Sequence, residues 1–189
     1  MKNNFVPRLR LLIIILIYPF LSQNLLAEIN WAQVQQGNKI ILIRHASAPG
    51  NGDPEGFKIN DCKTQRNLGK KGIEQSIQIG KLFKKKAIPV DKILTSQWCR
   101  CKDTAKYAFK NYIEFSALNS TFQSPFDENE ERQIAQIKKY VKNWEAKKKN
   151  LVMITHYSVI TAITNAVPSS GEIIVTDRNF NVLETILAD

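Results

Sequence analysis

The feature that most constrains this chain is a repeated order in which a short apolar run is followed by a longer stretch with helical spacing. The clearest apolar runs cover residues 39–43 and 151–155, and each is continuous enough to form a strand buried on both faces. Residues 91–95 have the same character, and residues 113–115 predict a weaker strand. Because buried parallel strands need helices on both sides, this order predicts one α/β domain with three layers, α/β/α, around a mostly parallel sheet.

The stretches between these runs fit helices, a loop and a closing hairpin. Apolar residues at helical spacing predict four helices, over residues 68–86, 101–109, 130–148 and 158–166. Residues 46–66 are rich in glycine and proline and are predicted to form an irregular loop. Residues 172–176 and 182–187 predict a terminal pair of strands.

The start of the chain has the layout of a secretory signal peptide. Three basic residues precede a charge-free apolar run over residues 11–26, which Pro19 interrupts. A spanning helix normally needs about 20 mainly apolar residues, so we predict a cleaved signal over 1–27 and a mature domain over 28–189, with no stable membrane span. The expected location is periplasmic or secreted. An uncleaved amino-terminal anchor is the alternative, because Leu25 occupies a position where cleavage favours a small residue.

The composition is basic, with a formal net charge of +10. Lysine runs at residues 84–86 and 147–149 lie near the ends of predicted helices, where cations complement the helix dipole. Such runs fit a solvated surface, or attraction to anionic substrates or a membrane surface. We do not expect a nucleic-acid partner, because the runs lack interleaved aromatic residues and the chain has no nucleic-acid-binding motif.

The three cysteines, Cys62, Cys99 and Cys101, all lie in the predicted mature domain. An oxidising compartment permits disulfides, so we predict that Cys62 pairs with either Cys99 or Cys101 and that one thiol stays free. A C-x-C pair with one distant cysteine and no nearby histidine does not make a zinc ligand set. No metal and no other cofactor is therefore expected.

Both histidines of the chain come at the ends of predicted strands. His45 follows the first strand after Arg44, and His156 follows the strand over 151–155 directly. Arg100 comes shortly after the second strand. Ligands of open α/β sheets collect outside the carboxyl ends of the strands, so these four side chains are predicted to surround one anion pocket.

Four short motifs in this order resemble the signature of the histidine phosphatase superfamily. They are Ile43-Arg44-His45-Ala46, Asn67-Leu68-Gly69, Arg100 followed by Thr104-Ala105, and Ile154-Thr155-His156. The family usually has glycine where Ala46 stands, and commonly a capping serine or threonine where Gly69 stands. The likeness extends over about residues 39–187 and is closer to small exported bacterial members, including some proposed to act on lipopolysaccharide core sugars. It implies a phosphoglycerate mutase-like fold.

The resemblance also implies a chemistry. His45 would attack phosphorus with a neutral ring nitrogen and form a covalent phosphohistidine. Arg44 and Arg100 would hold the phosphoryl oxygens, since a planar guanidinium binds them in bidentate fashion and stays charged. His156 would donate to the same oxygens and stabilise the transition state. The expected substrate is a small-molecule or sugar phosphate.

Two roles have competing candidates. Either Asn51 or Arg66 would supply a further phosphate contact. Many family members place a carboxylic acid in the stretch that corresponds to residues 116–122, and this stretch has none. Asp53 is the first candidate for a general acid and Glu172 the second. Without an acid, the substrate needs a good leaving group, such as a phosphohistidine or a sugar 1-phosphate.

The sequence therefore predicts an exported phosphatase that works through a phosphohistidine intermediate. One alternative is a non-catalytic module that binds a phosphate ligand on the same fold. Another is a phosphoglycerate-type mutase, which export disfavours. The sequence gives no indication of an oligomeric state.

Overall fold

The structure, a computed structural model, describes residues 29–188, so the predicted signal peptide lies outside the described residues. Its helices and strands are α1 Trp31–Gln35, β1 Ile40–Arg44, α2 Lys70–Lys85, β2 Val90–Thr95, α3 Cys99–Phe109, β3 Ile113–Glu114, α4 Glu130–Asn143, β4 Asn150–Thr155, α5 Tyr157–Thr164, β5 Ile173–Thr176 and β6 Val182–Ile186. Within the described residues, no helix is long and apolar enough to cross a bilayer.

The six strands form one sheet in the order β3-β2-β4-β1-β5-β6. The pairs β1–β4, β2–β4 and β2–β3 are parallel, whereas β5 runs antiparallel to both of its neighbours. The apolar runs at residues 39–43 and 151–155 form β1 and β4, at the centre, and every residue of β4 is buried. A mostly parallel sheet with a terminal hairpin is confirmed.

Alternate side chains of the central strands form two separate cores. One face of the sheet packs against α2 and α3, with strand contributions from Ile41, Ile43, Val152 and Ile154. The opposite face packs against α4 and α5, with strand contributions from Ile40, Leu42, Leu151 and Met153. Successive strand residues point to opposite faces, so one continuous apolar run supplies both cores. The predicted three-layer α/β/α arrangement in a single domain is confirmed.

Helix α4 ends at Asn143, five residues earlier than predicted. Trp144 leaves the helical conformation and is only 5 % exposed, because it packs into the core. Arg178 Nη2 donates to the carbonyl of Val141 in the last turn of the helix, at 2.6 Å, and to that of Trp144 just beyond it, at 2.7 Å. Lys147 and Lys148 then adopt positive φ as the chain turns into β4. The prediction was wrong here because lysine favours helices locally, whereas tertiary packing of the tryptophan decides the helix end.

The start of α2 lies directly against the loop that follows β1. Gly69, the N-cap residue, provides no side-chain cap, as the sequence indicated. A Cβ atom at Gly72 would lie 2.0 Å from the Ser47 carbonyl oxygen, so only glycine allows the first turn of α2 to approach this closely. The backbone N–H of Gly69 donates to the same oxygen at 3.2 Å. Both contacts fix the backbone just beyond His45.

Candidate active site

The carboxyl ends of β1, β2 and β4 meet at one edge of the sheet and bring three side chains into contact. His45 follows β1, His156 follows β4 as the N-cap residue of α5, and Arg100 lies in the first turn of α3. The two imidazole centroids are 5.3 Å apart, and Arg100 Nε lies 3.2 Å from His45 Nε2. Each of the three side chains is at most 3 % exposed. The edge therefore holds a buried cluster of two imidazoles and one guanidinium.

The hydrogen bonds of His45 fix its tautomer. Nδ1 lies 2.8 Å from the carbonyl oxygen of Ala46, which only accepts, so Nδ1 carries the proton. Nε2 then presents a lone pair, which accepts from Arg100 Nε. Burial first, and then the positive charge of Arg100, hold the pKa of His45 well below its ordinary value of 6.5. His45 is thus a neutral imidazole with its unprotonated nitrogen directed at an arginine.

Hydrogen bonds also hold both ring nitrogens of His156. Its Nε2 lies 3.0 Å from Ser96 Oγ, and Ser96 in turn donates to Asn119 Oδ1 at 3.2 Å. Its Nδ1 lies 3.5 Å from Arg100 Nη2. Burial, followed by the charge of Arg100, lowers the pKa of His156 well below 6.5. Without a ligand the imidazole is neutral, and a bound phosphate dianion would favour its protonation at Nδ1.

Because both histidines are buried and neutral, the stability of the protein should depend on pH. Below pH 6.5 the unfolded chain takes up protons that the buried imidazoles do not, so the free energy of unfolding falls as the pH falls. We expect each histidine to contribute up to about 1.4 kcal/mol per pH unit below about pH 6.5. Urea unfolding at pH 7.5, 6.0 and 5.0 measures this for the wild type and for His156→Gln. Equal slopes in the two proteins would contradict a neutral, buried His156.

Two more arginines border the pocket. Arg44 Nη1 donates to the carbonyl of Pro168 at 2.8 Å, and its guanidinium lies 5.6 Å from the Tyr157 ring centroid. Its Nε is buried and finds no hydrogen-bond partner within residues 29–188. Arg66 donates to the carbonyl oxygens of Gly52 and Ala48 at 2.7 and 2.6 Å. The unpartnered Nε of Arg44 is a donor without an acceptor, which an oxyanion would satisfy.

The pocket itself holds about 70 Å³ and is lined mainly by polar and basic side chains. Its charged and imidazole lining consists of Arg44, His45, Arg66, Arg100 and His156. Its rim includes Asn51, Ser120, Phe122, Gln123 and Tyr157. No Asp or Glu of the described residues lines it. Over the same part of the chain, no cluster of three or more His, Cys, Asp or Glu is placed to hold a metal ion. The donor set suits a small polyanion.

Asp53 lies behind Arg100 and not in the pocket. Its two oxygens accept from Arg100 Nη1 at 2.9 and 3.0 Å. The Arg66 backbone N–H and Trp98 Nε1 also donate to this carboxylate, each at 3.0 Å. The ion pair is 3 % exposed on both sides. Every contact treats Asp53 as an acceptor, which fits a carboxylate that orients Arg100 better than an acid that delivers a proton.

Glu172 also lies outside the pocket lining. Its carboxylate accepts from the backbone N–H of Ser169, in the turn that precedes β5. The two predicted candidates for the general acid are therefore both engaged elsewhere. Of the two predicted further phosphate contacts, Asn51 and Arg66, both line the pocket, and Arg66 brings the charge.

A disulfide fastens the irregular loop to the start of α3. Cys62 and Cys99 are bonded, with Cα atoms 5.6 Å apart, so a disulfide is confirmed with Cys99 as the partner. Cys101, two residues along the helix, faces the core, and burial raises the pKa of its thiol to about 12. Gln65 adds a second tie, because its Oε1 accepts from the Cys99 backbone N–H at 2.9 Å. The loop that carries Asp53 is thus held beside Arg100.

Reduction of this disulfide is expected to lower the free energy of unfolding by about 2–4 kcal/mol, because it releases a long loop in the unfolded chain. Thermal unfolding with and without dithiothreitol measures the effect. The double variant Cys62→Ser/Cys99→Ser should match the reduced protein and show no response to the reductant. If dithiothreitol lowers the stability of both proteins equally, the effect does not come from the bond between Cys62 and Cys99.

Several residues of the site were not predicted from the sequence. Ser96 and Tyr157 directly follow β2 and His156, so the rule that placed the histidines at the strand ends would have found them. Trp98, Asn119 and Phe122 lie in irregular segments between elements, where the sequence carries no periodic signal.

Sheet, helices and pocket together define a three-layer α/β domain of the phosphoglycerate mutase-like type, with a cationic site at the carboxyl edge of its sheet. No protein-family model matches the chain, and no curated protein is significantly similar to it. Solved structures, in contrast, resemble this chain in fold.

Three of these structures show the same fold. Phosphoglycerate mutase from Thermus thermophilus is 17 % identical, with 80 % of this chain and 99 % of that chain covered and a TM-score of 0.54. TTHB049 from the same organism has the same identity and coverage and a TM-score of 0.57. SixA from Agrobacterium tumefaciens, assigned as a phosphohistidine phosphatase, is 16 % identical, with 79 % and 97 % covered and a TM-score of 0.52. At these identities the likeness shows the fold alone.

Proposed function

We propose that this chain is an exported phosphatase of the histidine phosphatase superfamily, which hydrolyses a phosphomonoester or related phosphoryl group through a phosphohistidine on His45. The observation that carries the proposal is the state of His45. It is a neutral imidazole whose Nδ1 donates to a carbonyl and whose Nε2 keeps its lone pair and accepts from Arg100, and no carboxylate of the described residues lines its pocket. Such a site attracts a phosphate and offers it a nucleophile.

In the first step, His45 Nε2 bonds to phosphorus while the bond to the leaving oxygen breaks, and that oxygen departs with the electron pair. Arg100 Nε, which donates to Nε2 in the empty site, turns to a phosphoryl oxygen. Water then attacks phosphorus, the N–P bond breaks and its electron pair returns to Nε2. Phosphate leaves, and the proton lost by the water passes to the departed oxygen or to solvent.

The surrounding groups stabilise the charge that spreads over the phosphoryl oxygens. Arg44 offers its unpartnered Nε, and His156 donates from Nδ1 once the dianion has raised its affinity for a proton. Asp53 acts through Arg100, as a positioning residue. With no acid lining the pocket, the preferred substrates have leaving groups that depart without protonation, such as phosphohistidine or a sugar 1-phosphate.

The proposed location in the periplasm or outside the cell is supported by two features. Residues 1–27 have the composition of a signal peptide, and the disulfide between Cys62 and Cys99 needs an oxidising compartment to persist. Expression with the native first 27 residues, followed by fractionation and mass measurement, tests both. A mature chain beginning at Glu28 is the expected product, whereas retention of residues 1–27 in the membrane fraction would show an anchor.

The test of the activity is hydrolysis of p-nitrophenyl phosphate by the purified protein, with and without EDTA and with vanadate as a phosphate analogue. We expect release of p-nitrophenol that EDTA leaves unchanged and vanadate inhibits competitively. Binding of phosphate without any hydrolysis would identify a binding module. Interconversion of phosphoglycerates without phosphate release would identify a mutase.

A further inference from the structure

The rim of the pocket has one strongly apolar side. Phe122 is 45 % exposed, yet it follows two buried residues, Ser120 and Thr121. Its ring lies in edge contact with that of Tyr157, with centroids 5.7 Å apart. Of the large apolar side chains that are exposed in the described part of the chain, Phe122 is the one that lines this pocket. An exposed aromatic ring that lines a polar pocket and contacts a second ring there is a candidate ligand contact.

Hydrogen bonds hold the segment that presents this ring. The backbone N–H of Thr121 donates to Ser158 Oγ at 3.3 Å, and Thr121 Oγ1 donates to Glu130 Oε2 at 2.9 Å. The backbone N–H of Phe122 donates to Ser120 Oγ at 3.3 Å. On the other side of the pair, the guanidinium of Arg44 lies against the Tyr157 ring. The two rings are therefore preorganised as a wall rather than left as loose side chains.

The remaining rim is polar. Gln123 uses its Oε1 to accept from the Asp53 backbone N–H at 3.0 Å, which leaves its amide donors available. Asn51 is exposed beside it and lines the same pocket. A leaving group that fits this mouth has an apolar face for Phe122 and polar atoms at its edge. Aromatic and sugar rings both have this shape, whereas short open-chain alcohols have no such face.

We propose that Phe122 and Tyr157 form a ring-binding subsite, and that the substrate carries its phosphate on a ring. The inference rests on the proposed function, because it takes the cationic pocket to be the phosphate site. Aryl or imidazole rings and sugar rings share the apolar face that the subsite recognises. Phe122 is a specificity-determining residue that acts on binding and not on the chemical step.

Binding of non-hydrolysable phosphonates tests this without catalysis. Isothermal titration calorimetry should show benzylphosphonate binding about three- to tenfold more tightly than n-butylphosphonate to the wild-type protein. In Phe122→Ala this ratio should fall to about one, while Phe122→Tyr should restore it. Tyr107→Ala, which removes an exposed aromatic ring outside the pocket, is the matched control and should keep the wild-type ratio. Equal binding of the two phosphonates to the wild type, or an unchanged ratio in Phe122→Ala, would overturn the proposal.

Steady-state kinetics then distinguish an aromatic ring from a sugar ring on the substrate. For p-nitrophenyl phosphate and for glucose 1-phosphate, Phe122→Ala should raise KM about three- to tenfold and leave kcat near the wild-type value. The larger rise marks the preferred ring. A fall in kcat with unchanged KM would place Phe122 in the chemistry and contradict a binding subsite. If the protein binds benzylphosphonate preferentially but hydrolyses nothing, the proposed phosphatase activity fails while the ring subsite stands.

Discussion

His45→Ala is expected to lower kcat for p-nitrophenyl phosphate by at least about a thousandfold, because it removes the imidazole nitrogen that we propose attacks phosphorus. The measurement is p-nitrophenol release, combined with acid and base quenching of labelled enzyme. The wild type should carry a phosphoryl group that acid releases and base preserves, as expected for a phosphorus–nitrogen bond. His45→Ala should carry none.

The fold of this variant must be shown to be intact for the result to count. Thermal unfolding near pH 6 should remain one cooperative transition with a midpoint close to that of the wild type. The substitution removes two hydrogen bonds, and it also removes the cost of keeping a buried imidazole neutral. Calorimetry should still detect inorganic phosphate, bound by the arginines. Undiminished hydrolysis by the folded variant would refute His45 as the nucleophile.

Asp53→Asn is expected to have the second largest effect. The amide turns an N–H group or a single neutral oxygen toward Arg100 Nη1, where the carboxylate accepts two short hydrogen bonds, and leaves a buried guanidinium without its counter-charge. Breaking a buried pair costs about 3–5 kcal/mol of stability. Displacing Arg100 by about 1 Å is expected to lower kcat/KM about a hundredfold. Urea unfolding and steady-state kinetics measure the two effects.

The pattern across substrates distinguishes positioning from acid catalysis. If Asp53 only orients Arg100, kcat/KM falls by a similar factor for p-nitrophenyl phosphate and phenyl phosphate. A general acid would matter far more for phenyl phosphate, whose leaving group is poorer. Glu55→Gln, an exposed carboxylate in the same loop, is the matched control and should retain wild-type kinetics and stability. A loss confined to phenyl phosphate would restore Asp53 as the acid.

The sequence predicted those parts of the molecule that have a regular spacing of apolar residues or that lie at the end of a strand. The runs that form β1 and β4 are apolar on both faces, so burial and a parallel arrangement follow directly. The placement of His45 and His156 at one edge then follows from strand direction alone. The end of α4 did not follow, because Trp144 packs against residues that lie far away in the chain.

The contacts that loop residues make in the site could not be predicted from apolar spacing or strand position. That Asp53 meets Arg100, 47 positions away, depends on the course of a loop with several glycines and prolines. The choice of Cys99 over Cys101 is simpler in retrospect: residues two apart on a helix point to nearly opposite sides, so only one of them faces the loop. Phe122 lies in a segment with no repeat at all, and only the three-dimensional structure places it at the pocket.

The order of strands in the sheet determines how much of the chain must be made before the strand that precedes His45 is fully paired. β1, which leads into His45, lies between β4 and β5, and both of these neighbours come from the last third of the chain. The N–H of Gly171 donates to the carbonyls of Arg44 and His45 at 3.1 and 3.2 Å. β1 therefore lacks its full set of partners until synthesis has passed residue 176, the last residue of β5 that pairs with it. For the exported phosphatase proposed above, such late completion of the sheet would keep activity out of the compartment where the chain is made.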